Sequence, residues 1–455
     1  MLESLALGTP GSGIDRPLPP AREGARVLLR VKLGLIVLLF AAGCAGREET
    51  TPPPTPQPPP QVAAAPPAVV DNLPPPPMVS GPAKVGLLVP LTGPGSGVGA
   101  DLEDAAQMAL FDVGVTDLEL LPRDTGDQTD KAVQAARSVL AEGAQLLLGP
   151  LYGRAASAVG PLANAGGVRV ISFSNDAGVA RPGVYVLGYR PEEQVARVVK
   201  FAAAQGRTRF AALAPADAYG ERVIAAWRKA VAEVPGATAV LAVSFPAAAE
   251  LPKAEVLQVA AFGRPGGLPP EPVEEPALPG EPVPPPPPPP DLPPPGFDTL
   301  LIADGGKRVA DIAALLAYYD VRAPEVALLG TMRWQDDPAL LADVNLRGAW
   351  FASWPPGEIA RFQQRFADTY GRSPAPLAVL AYDATALGVL LAQEQPRFTG
   401  PQLTDPQGFA GAAGIFRLLP NGLAEHGIAV VENEGGALRV LDPPPPRFEA
   451  GIASR

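Results

Sequence analysis

The segment Lys84-Val85-Gly86-Leu87-Leu88-Val89-Pro90-Leu91-Thr92-Gly93 joins a short apolar run to a loop that contains proline and glycine. The run has the length of one buried strand, and it ends there because proline and glycine favour turns. Residues 101–113 follow with apolar side chains at the spacing of one helical face: Leu102, Ala105, Ala106, Ala109 and Val113. Asp101, Glu103 and Asp104 fall in the expected first turn. The segment therefore predicts a strand, a turn and a helix.

The same alternation continues toward the carboxyl terminus. Further strands are predicted at 118–121, 145–149, 168–173, 209–213, 238–243 and 298–303, and further helices at 131–141, 154–165, 191–204 and 219–232. Short apolar strands that alternate with helices are typical of an α/β fold with a doubly wound parallel sheet. The series that begins after Arg190 predicts a second lobe.

The amino terminus carries the pattern of an export signal. Arg22, Arg26, Arg30 and Lys32 precede an apolar run from Leu33 to Ala42, which is too short to cross a bilayer because a spanning helix needs about 20 residues. Ala41-Ala42-Gly43-Cys44 resembles the bacterial lipobox, in which the cysteine is lipidated. The resemblance implies a signal peptide at 1–43 and a lipid on Cys44. A plain secretory signal with a chance cysteine remains the alternative.

Proline is concentrated in two segments, with 14 prolines in residues 52–82 and 17 in residues 265–295. Residues 44–82 are predicted to form an extended tether, because they contain too few large apolar side chains to build a core. Residues 264–296 are predicted to be a solvated insertion of the second lobe, and removal of 265–295 is predicted to leave folding intact. Its run of prolines is either a stiff loop or an interaction ligand.

Composition excludes several classes of function. A net charge of -11 excludes nucleic-acid binding, which depends on clustered lysine and arginine. The chain has one cysteine, Cys44, and one histidine, His426, so we expect no metal site, no cofactor and no enzymatic activity. We expect His426 to be a solvated turn residue and Trp227 to lie in the core. Residues 95–100 formally fit the dinucleotide-binding glycine pattern, but the acids at 101–104 would repel a pyrophosphate.

Several segments resemble the type I periplasmic binding proteins, the group of the branched-chain amino-acid receptors. The resemblance covers residues 84 to about 441 apart from the insertion. It rests on Val85 to Gly93, Asp124-Thr125, Leu148-Gly149-Pro150, Val170 to Asn175, Asp217-Ala218-Tyr219-Gly220, Tyr370-Gly371, Ala381-Tyr382-Asp383-Ala384 and Gly411 to Phe416. It implies a domain at 83–441, with lobe 1 at about 83–189 and 334–400, lobe 2 at about 190–333 and 401–441, and a tail at 442–455.

The resemblance also implies crossover hinges near Gly188–Pro191, Gly330–Arg333 and Thr399–Gly408, with a cleft at the carboxyl ends of the strands. The implied cleft residues are Leu91, Thr92, Gly93, Tyr152, Gly153, Arg154, Ser174, Asn175, Asp176, Tyr219, Asp304, Gly305, Met332, Arg333 and Trp334. Hinge or interlobe packing is the alternative role for Tyr152, Arg154, Asn175, Asp176, Asp304, Arg333 and Trp334.

In the amino-acid receptors, hydroxyl groups of lobe 1 hold the ligand carboxylate, and a tyrosine and a glutamate of lobe 2 hold its ammonium group. The corresponding positions here read Gly153, Arg154 and Ala155, with Gly305 for the tyrosine and Met332 for the glutamate. A free amino acid is therefore an unexpected ligand, because burying an unpaired charge costs several kcal/mol.

The combination of lipid signal, long tether and altered clamp is similar to the penicillin-binding-protein activators of the LpoA type. That resemblance implies a lipoprotein on the periplasmic face of the outer membrane that binds and activates a class A penicillin-binding protein. A peptidoglycan fragment or another small ligand in the cleft is left open. The alternative is a substrate-binding protein of an ABC transporter for an amino acid or other small solute.

Overall fold

The computed structural model describes residues 73–74, 76, 81–114, 117–269 and 292–448. The signal peptide, Cys44, most of the tether, the centre of the insertion and the end of the tail lie outside the described residues. The predictions made for those segments therefore remain predictions.

The first sheet has five parallel strands in the order β2-β1-β3-β4-β5. Its strands are β1 (Ala83–Val89), β2 (Leu118–Asp124), β3 (Leu146–Leu148), β4 (Arg169–Ser172) and β5 (Val184–Val186), joined by helices α1 (Ser96–Val113), α2 (Thr129–Ala141) and α3 (Gly153–Ala165). Apolar clusters cover both of its faces, which explains why its strands are almost continuously apolar. We call the part of the chain built on this sheet lobe 1.

The second sheet has seven strands in the order β15-β14-β10-β9-β8-β6-β7, and we call the part built on it lobe 2. Its strands are β6 (Arg209–Pro215), β7 (Thr238–Phe245), β8 (Thr299–Ile302), β9 (Ala327–Gly330), β10 (Trp350–Ser353), β14 (Ala429–Asn433) and β15 (Leu438–Asp442). Its helices are α4 (Pro191–Ala204), α5 (Ala218–Ala232), α6 (Lys253–Ala261), α7 (Lys307–Tyr318) and α8 (Pro338–Leu341). Strands β14 and β15 are antiparallel and close one edge. Trp227 is 1% exposed, so its predicted core position is confirmed.

The remaining elements belong to lobe 1. They are α9 (Pro356–Tyr370), α10 (Ala378–Ala392), α11 (Gly400–Leu403) and a small antiparallel sheet of β11 (Phe409–Gly411), β12 (Gly414–Leu418) and β13 (Ala424–His426). Apolar residues of α10 and β12 share the lobe 1 core, and Leu423 makes a β-bridge to Val186 of β5. The described part of the chain therefore changes lobe three times, at residues 187–190, 354–355 and 427–428.

Only the first of the three predicted hinges lies at an observed crossover. Strand β10 pairs with β9 and β14 inside lobe 2, so the second crossover follows Ser353 and not Gly330–Arg333. Residues 399–408 stay in lobe 1, because β12 carries its apolar side chains into the lobe 1 core. Helix α1 begins at Ser96 instead of 101, and Asp101 and Asp104 therefore lie beyond its first turn, where both pair with Arg372.

The predicted insertion is shorter than expected. Arg264 is 5% exposed, and Leu268 and Leu292 pack against the lobe 2 core, so both flanks of the segment 264–296 belong to the folded lobe. The two ends meet where the N–H of Gly296 donates to the carbonyl of Phe262 at 2.7 Å.

We expect replacement of residues 270–291 by a short Gly/Ser linker to leave thermal stability unchanged. The flanking chain is already held together, and shortening a loop changes its closure entropy only slowly with length. Removing 265–295 is expected to lower the melting temperature, because Leu268 and Leu292 then leave the core. The comparison is made by thermal unfolding; a fall of more than a few degrees for the shorter deletion would contradict the expectation.

Candidate binding cleft

The predicted cleft residues lie after the carboxyl ends of strands in both lobes. Those of lobe 1 are Leu91–Gly93 after β1, Tyr152–Arg154 after β3 and Ser174–Asp176 after β4; those of lobe 2 are Tyr219 after β6, Asp304–Gly305 after β8 and Met332–Trp334 after β9. Parallel strands end at one edge of their sheet, so each set is gathered at one edge of its lobe. Contact with a ligand remains a prediction for the exposed and half-buried members of these sets, whereas Ser174, Asp304, Met332 and Trp334 are buried.

The carboxylate of Asp124, at the end of β2, organises the loop after β1. Its Oδ1 atom accepts hydrogen bonds from the N–H groups of Leu91 at 2.9 Å and Gly126 at 2.7 Å. Its Oδ2 atom accepts from the hydroxyl of Thr92 at 2.7 Å and the ammonium of Lys131 at 2.5 Å. Partial burial disfavours the charge, but these donors outweigh that effect and hold the pKa of Asp124 well below its ordinary value. The Thr92 hydroxyl is thus already engaged by the protein.

The amino terminus of α3 lies beside a carboxylate of the protein itself. The Oδ2 atom of Asp176 is 3.0 Å from the place that a Cβ atom on Gly153 would occupy, and the hydroxyl oxygen of Ser174 is 3.1 Å from it. Asp176 is held there because its N–H donates to Ser174 Oγ at 3.0 Å and its Oδ1 accepts from the N–H of Gly178 at 2.9 Å. A negative charge therefore stands where the helix would otherwise attract an anion.

The ring of Tyr152, which directly precedes α3, points toward the loop after β1. Its hydroxyl oxygen is 2.2 Å from the place that a Cβ atom on Gly95 would occupy. Gly95 therefore has to be a glycine for the tyrosine to lie in this position.

The lobe 2 side of the cleft carries an arginine stacked on an aromatic ring. The guanidinium of Arg333 lies 4.8 Å from the ring centroid of Tyr219, a cation–π contact, and it faces Gly305. The hydroxyl of Tyr219 is 3.0 Å from that of Thr331, and burial raises the pKa of Tyr219. The carboxylate of Asp304 is not available to a ligand, because it forms an ion pair with Arg308 and is almost fully buried.

A side chain that the sequence analysis did not single out connects the two lobes. Arg222 of α5 donates to the carbonyl of Asn175 in lobe 1 at 2.9 Å and is held by both carboxylate oxygens of Glu192 at 2.8 and 2.9 Å. The sequence could have indicated this role, because Arg222 follows Tyr219 by three residues and the two therefore lie on neighbouring parts of one helix surface. The contact holds the lobes together at one side of the cleft without a ligand.

The crossovers surround a buried aromatic cluster. Tyr189, from the first crossover, contacts Trp354 of the second, and its ring centroid lies 4.7 Å from that of His426, which immediately precedes the third. The Nδ1 atom of His426 is 3.0 Å from Glu193 Oε2, and only 7% of the side chain is exposed. The prediction of a solvated histidine is therefore wrong, because β13 carries His426 into the hinge. Met332 joins the same core and not an open cleft wall.

The described part of the chain contains neither a candidate metal centre nor a candidate membrane span. In residues 81–114, 117–269 and 292–448 no group of three or more His, Cys, Asp or Glu side chains is placed to hold a metal ion. No helix in the described part of the chain has the length and apolar character needed to cross a membrane. The expected lack of a cofactor remains a prediction.

The structure has two doubly wound lobes, three crossovers and loops gathered at the strand ends. A family sequence profile agrees with this architecture. The profile of the periplasmic binding protein family matches residues 82–436, which is most of the chain. The chain belongs to the periplasmic binding protein family. Members of this family are in general binding proteins and not enzymes, and the fold is the α/β type I periplasmic binding protein fold.

Solved structures of other proteins confirm the fold. A putative branched-chain amino acid ABC transporter protein from Rhodospirillum rubrum is 18% identical, with a TM-score of 0.63 over 79% of this chain and 100% of that one. The leucine-binding protein LivK from Thermotoga maritima is 19% identical, with a TM-score of 0.55 over 80% of this chain and 99% of that one. A solute-binding protein from Rhodopseudomonas palustris, in complex with 3,4-dihydroxybenzoic acid, is 18% identical, with a TM-score of 0.55 over 81% and 97% of the two chains.

One curated protein matches part of the chain in sequence. The uncharacterized protein RP748 of Rickettsia prowazekii is 26% identical over 140 residues, which are 31% of this chain and 37% of that protein. The matched segment therefore spans well under half of either protein.

Proposed function

We propose that this periplasmic binding protein is an outer-membrane lipoprotein that binds a class A penicillin-binding protein and stimulates peptidoglycan synthesis. The observation that carries the proposal is the charge of the cleft, which is unsuited to a free amino acid bound as the branched-chain amino-acid receptors bind it. Asp176 stands at the α3 amino terminus, where a ligand carboxylate would be expected, and the positions expected to hold an ammonium group are Gly305 and Met332.

An amino acid bound in the orientation that the family's receptors use would meet like charges at both ends. Its carboxylate would approach Asp176, and its ammonium group would approach Arg333, whose guanidinium faces Gly305. Like charges close to each other in a partly desolvated cleft cost several kcal/mol. Arg222 meanwhile links the lobes, which is the task that a bound solute performs in a receptor that closes on its ligand. These features support a domain that presents a fixed surface to a protein.

The expected anchor supports the same proposal. Arg169, 1% exposed at the amino end of β4, donates to the carbonyls of Leu73 at 2.9 Å and Pro74 at 2.8 Å. The tether thus joins lobe 1 at the edge opposite the strand ends that carry the cleft. In an extended form, the residues between Cys44 and Leu73 would reach about 90 Å, which suits a partner far from the lipid.

A solute receptor is the second candidate. It is favoured by Arg333, whose exposed guanidinium on the Tyr219 ring can pair with a carboxylate attached to an aromatic or apolar body. The related R. palustris structure holds such a compound, 3,4-dihydroxybenzoic acid.

The two candidates are separated by binding experiments on the purified protein. Free amino acids should not raise the melting temperature, whereas a ligand at 100 times its dissociation constant stabilises a protein by about 2.7 kcal/mol. An immobilised class A penicillin-binding protein should retain the protein, and glycan polymerisation or crosslinking should accelerate. Strong stabilisation by an amino acid or an aromatic acid, without retention by the synthase, would establish the receptor instead.

Lipidation is tested separately. Metabolic labelling with a tagged fatty acid should mark the wild-type protein and leave Cys44→Ser unmarked, because Cys44 is the only cysteine of the chain. The wild-type protein should also fractionate with the outer membrane. Equal labelling of the two proteins would show that Cys44 does not carry a lipid.

A further inference from the structure

A groove on lobe 1 lies outside the cleft, between α1, α9, α10 and the hairpin of β11 and β12. It encloses about 320 Å³ and is lined by Met108, Glu358, Arg361, Phe362, Arg365, Tyr382, Gly411 and Ala412. None of the predicted cleft residues lines it. We call it the α1–α9 groove; its volume is that of a pocket for a small molecule or for a few side chains.

The floor of the α1–α9 groove is apolar and aromatic. Met108 is 3% exposed and Phe362 is 5% exposed, so both are fixed in the lobe 1 core. The ring of Phe362 meets that of Tyr382 edge to face, with 5.6 Å between the centroids. Rigid, desolvated side chains of this kind favour the insertion of an apolar group, because they lose little entropy on binding.

The rim of the groove carries two exposed cations, Arg361 and Arg365, one turn apart on α9. Their side chains are 75% and 57% exposed. The acids nearest to them are engaged: Glu358 lies 3.5 Å from Arg361, and Asp112 binds Arg365 and accepts the Tyr382 hydroxyl at 2.9 Å. A guanidinium has five N–H donors, so one carboxylate leaves several of them directed to solvent.

An exposed phenylalanine lies on α1, one of the helices that form the groove. Phe111 is 80% exposed and immediately precedes Asp112, which holds the rim arginine. It lies three residues after Met108, which places it about 60° around α1 from that floor residue. An exposed phenylalanine beside an apolar floor enlarges the surface that a partner can cover.

We propose that the α1–α9 groove is the docking surface for a partner protein, which inserts an apolar or aromatic side chain flanked by carboxylates. The apolar side chain fills the floor and packs on Phe111, and the carboxylates pair with Arg361 and Arg365. A basic segment fits less well, because Arg361 and Arg365 are more exposed than Glu358 and Asp112, the carboxylates that pair with them. The identity of the partner rests on the proposed function, but the chemistry of its segment does not.

The chemistry is tested with a displayed library of random peptides, selected on the full-length purified protein. We expect enriched peptides to combine aspartate or glutamate with a large apolar residue. Phe111→Asp and Arg361→Glu should each weaken binding of the best peptide about tenfold or more, because each places a carboxylate where the acidic peptide has to bind. Val344→Asp is the matched control, because Val344 is 81% exposed and lies in lobe 2; it should leave binding within about twofold.

The outcomes separate the docking surface from its alternatives. We expect the melting temperature of the wild type for all three variants, Phe111→Asp, Arg361→Glu and Val344→Asp, since all three positions are exposed. The proposal is wrong if no acidic, apolar peptide is enriched, or if Phe111→Asp and Arg361→Glu bind like the wild type. A wild-type dimer that Phe111→Asp dissociates would show that a second copy covers the groove and would also overturn it.

The same variants are then tested on an immobilised class A penicillin-binding protein. If the synthase retains the wild type, we expect Phe111→Asp and Arg361→Glu to lower retention about tenfold and Val344→Asp to preserve it. If the peptides bind in the groove and the synthase does not bind at all, the proposed function fails and the docking surface stands. Retention of the synthase that is unaffected by both variants would place its contact elsewhere and overturn the groove as its docking surface.

Discussion

Asp383→Asn should abolish much of the pH dependence of stability between about pH 4 and 7 and make the protein more stable than the wild type above that range. Asp383 lies on α10 with 5% of its surface exposed. Its carboxylate accepts the N–H of Ala412 at 2.6 Å and that of Ala413 at 3.4 Å, which ties α10 to the hairpin of β11 and β12. Burial raises the pKa of Asp383 to about 7, although the two N–H donors act in the opposite direction.

The direction of the effect follows from the protons bound in each state. Below about pH 4, Asp383 is protonated in both the folded and the unfolded chain, so its stabilising contribution is fully present. Between about pH 4 and 7 the folded state keeps a proton that the unfolded state has lost, and stability falls as pH rises. Above about pH 7 the loss is complete, at about 4 kcal/mol as an order of magnitude. Asparagine keeps an acceptor for Ala412 and does not ionise.

The measurement is the free energy of unfolding in denaturant at several pH values between 4.5 and 8. The difference between wild type and Asp383→Asn isolates this residue from the other groups that titrate in the same range. Asp383→Ala is the control for the hydrogen bonds: it should be less stable than Asp383→Asn at every pH by about 1–3 kcal/mol, because the Ala412 N–H loses its acceptor and neither side chain ionises. Parallel pH profiles for wild type and Asp383→Asn would contradict the prediction.

Gly99→Ala is expected to destabilise the protein by about 3 kcal/mol or more. A Cβ atom on Gly99 would lie 1.8 Å from the carbonyl oxygen of Pro90 and 2.5 Å from its carbon. Both are backbone atoms at the end of β1, so no rotamer change can relieve the overlap, and α1 has to move away from the sheet. The close approach of helix and strand explains why glycine stands here without a dinucleotide ligand.

The same helix offers a matched control in Gly97→Ala. No atom lies within 4 Å of a Cβ placed on Gly97, and alanine favours a helix over glycine by about 1 kcal/mol. Gly97→Ala should therefore be neutral or stabilising. The free energies of unfolding of Gly99→Ala and Gly97→Ala are compared by urea titration. Lobe 2 repeats the contact, since a Cβ on Gly220 would lie 1.8 Å from the Pro215 carbonyl oxygen, and Gly220→Ala should resemble Gly99→Ala. A Gly99→Ala protein as stable as Gly97→Ala would refute the close-packing argument.

The local pattern of the sequence was enough to predict most of the strands and helices before the insertion. The helix predicted at 191–204 has those bounds, and the strand predicted at 84–89 begins one residue earlier. These elements follow from the spacing of apolar residues over short distances, which is a property of each segment alone. The start of α1 was missed, because Ser96 to Ala100 carry small residues with a glycine pattern that is equally compatible with a loop.

Contacts between distant segments were beyond that reasoning. The sequence alone determined the α/β class, the order of the elements and the core position of Trp227, because each depends on residue type at a given place in the chain. Only the tertiary structure decided that β10 belongs to lobe 2, that Arg222 reaches Asn175, and that His426 is buried against Glu193, 233 residues away. The physical reason is that burial and pairing depend on which surfaces the folded lobes bring together. The periodicity of a segment shows which of its faces is apolar but not which distant segment will pack against it.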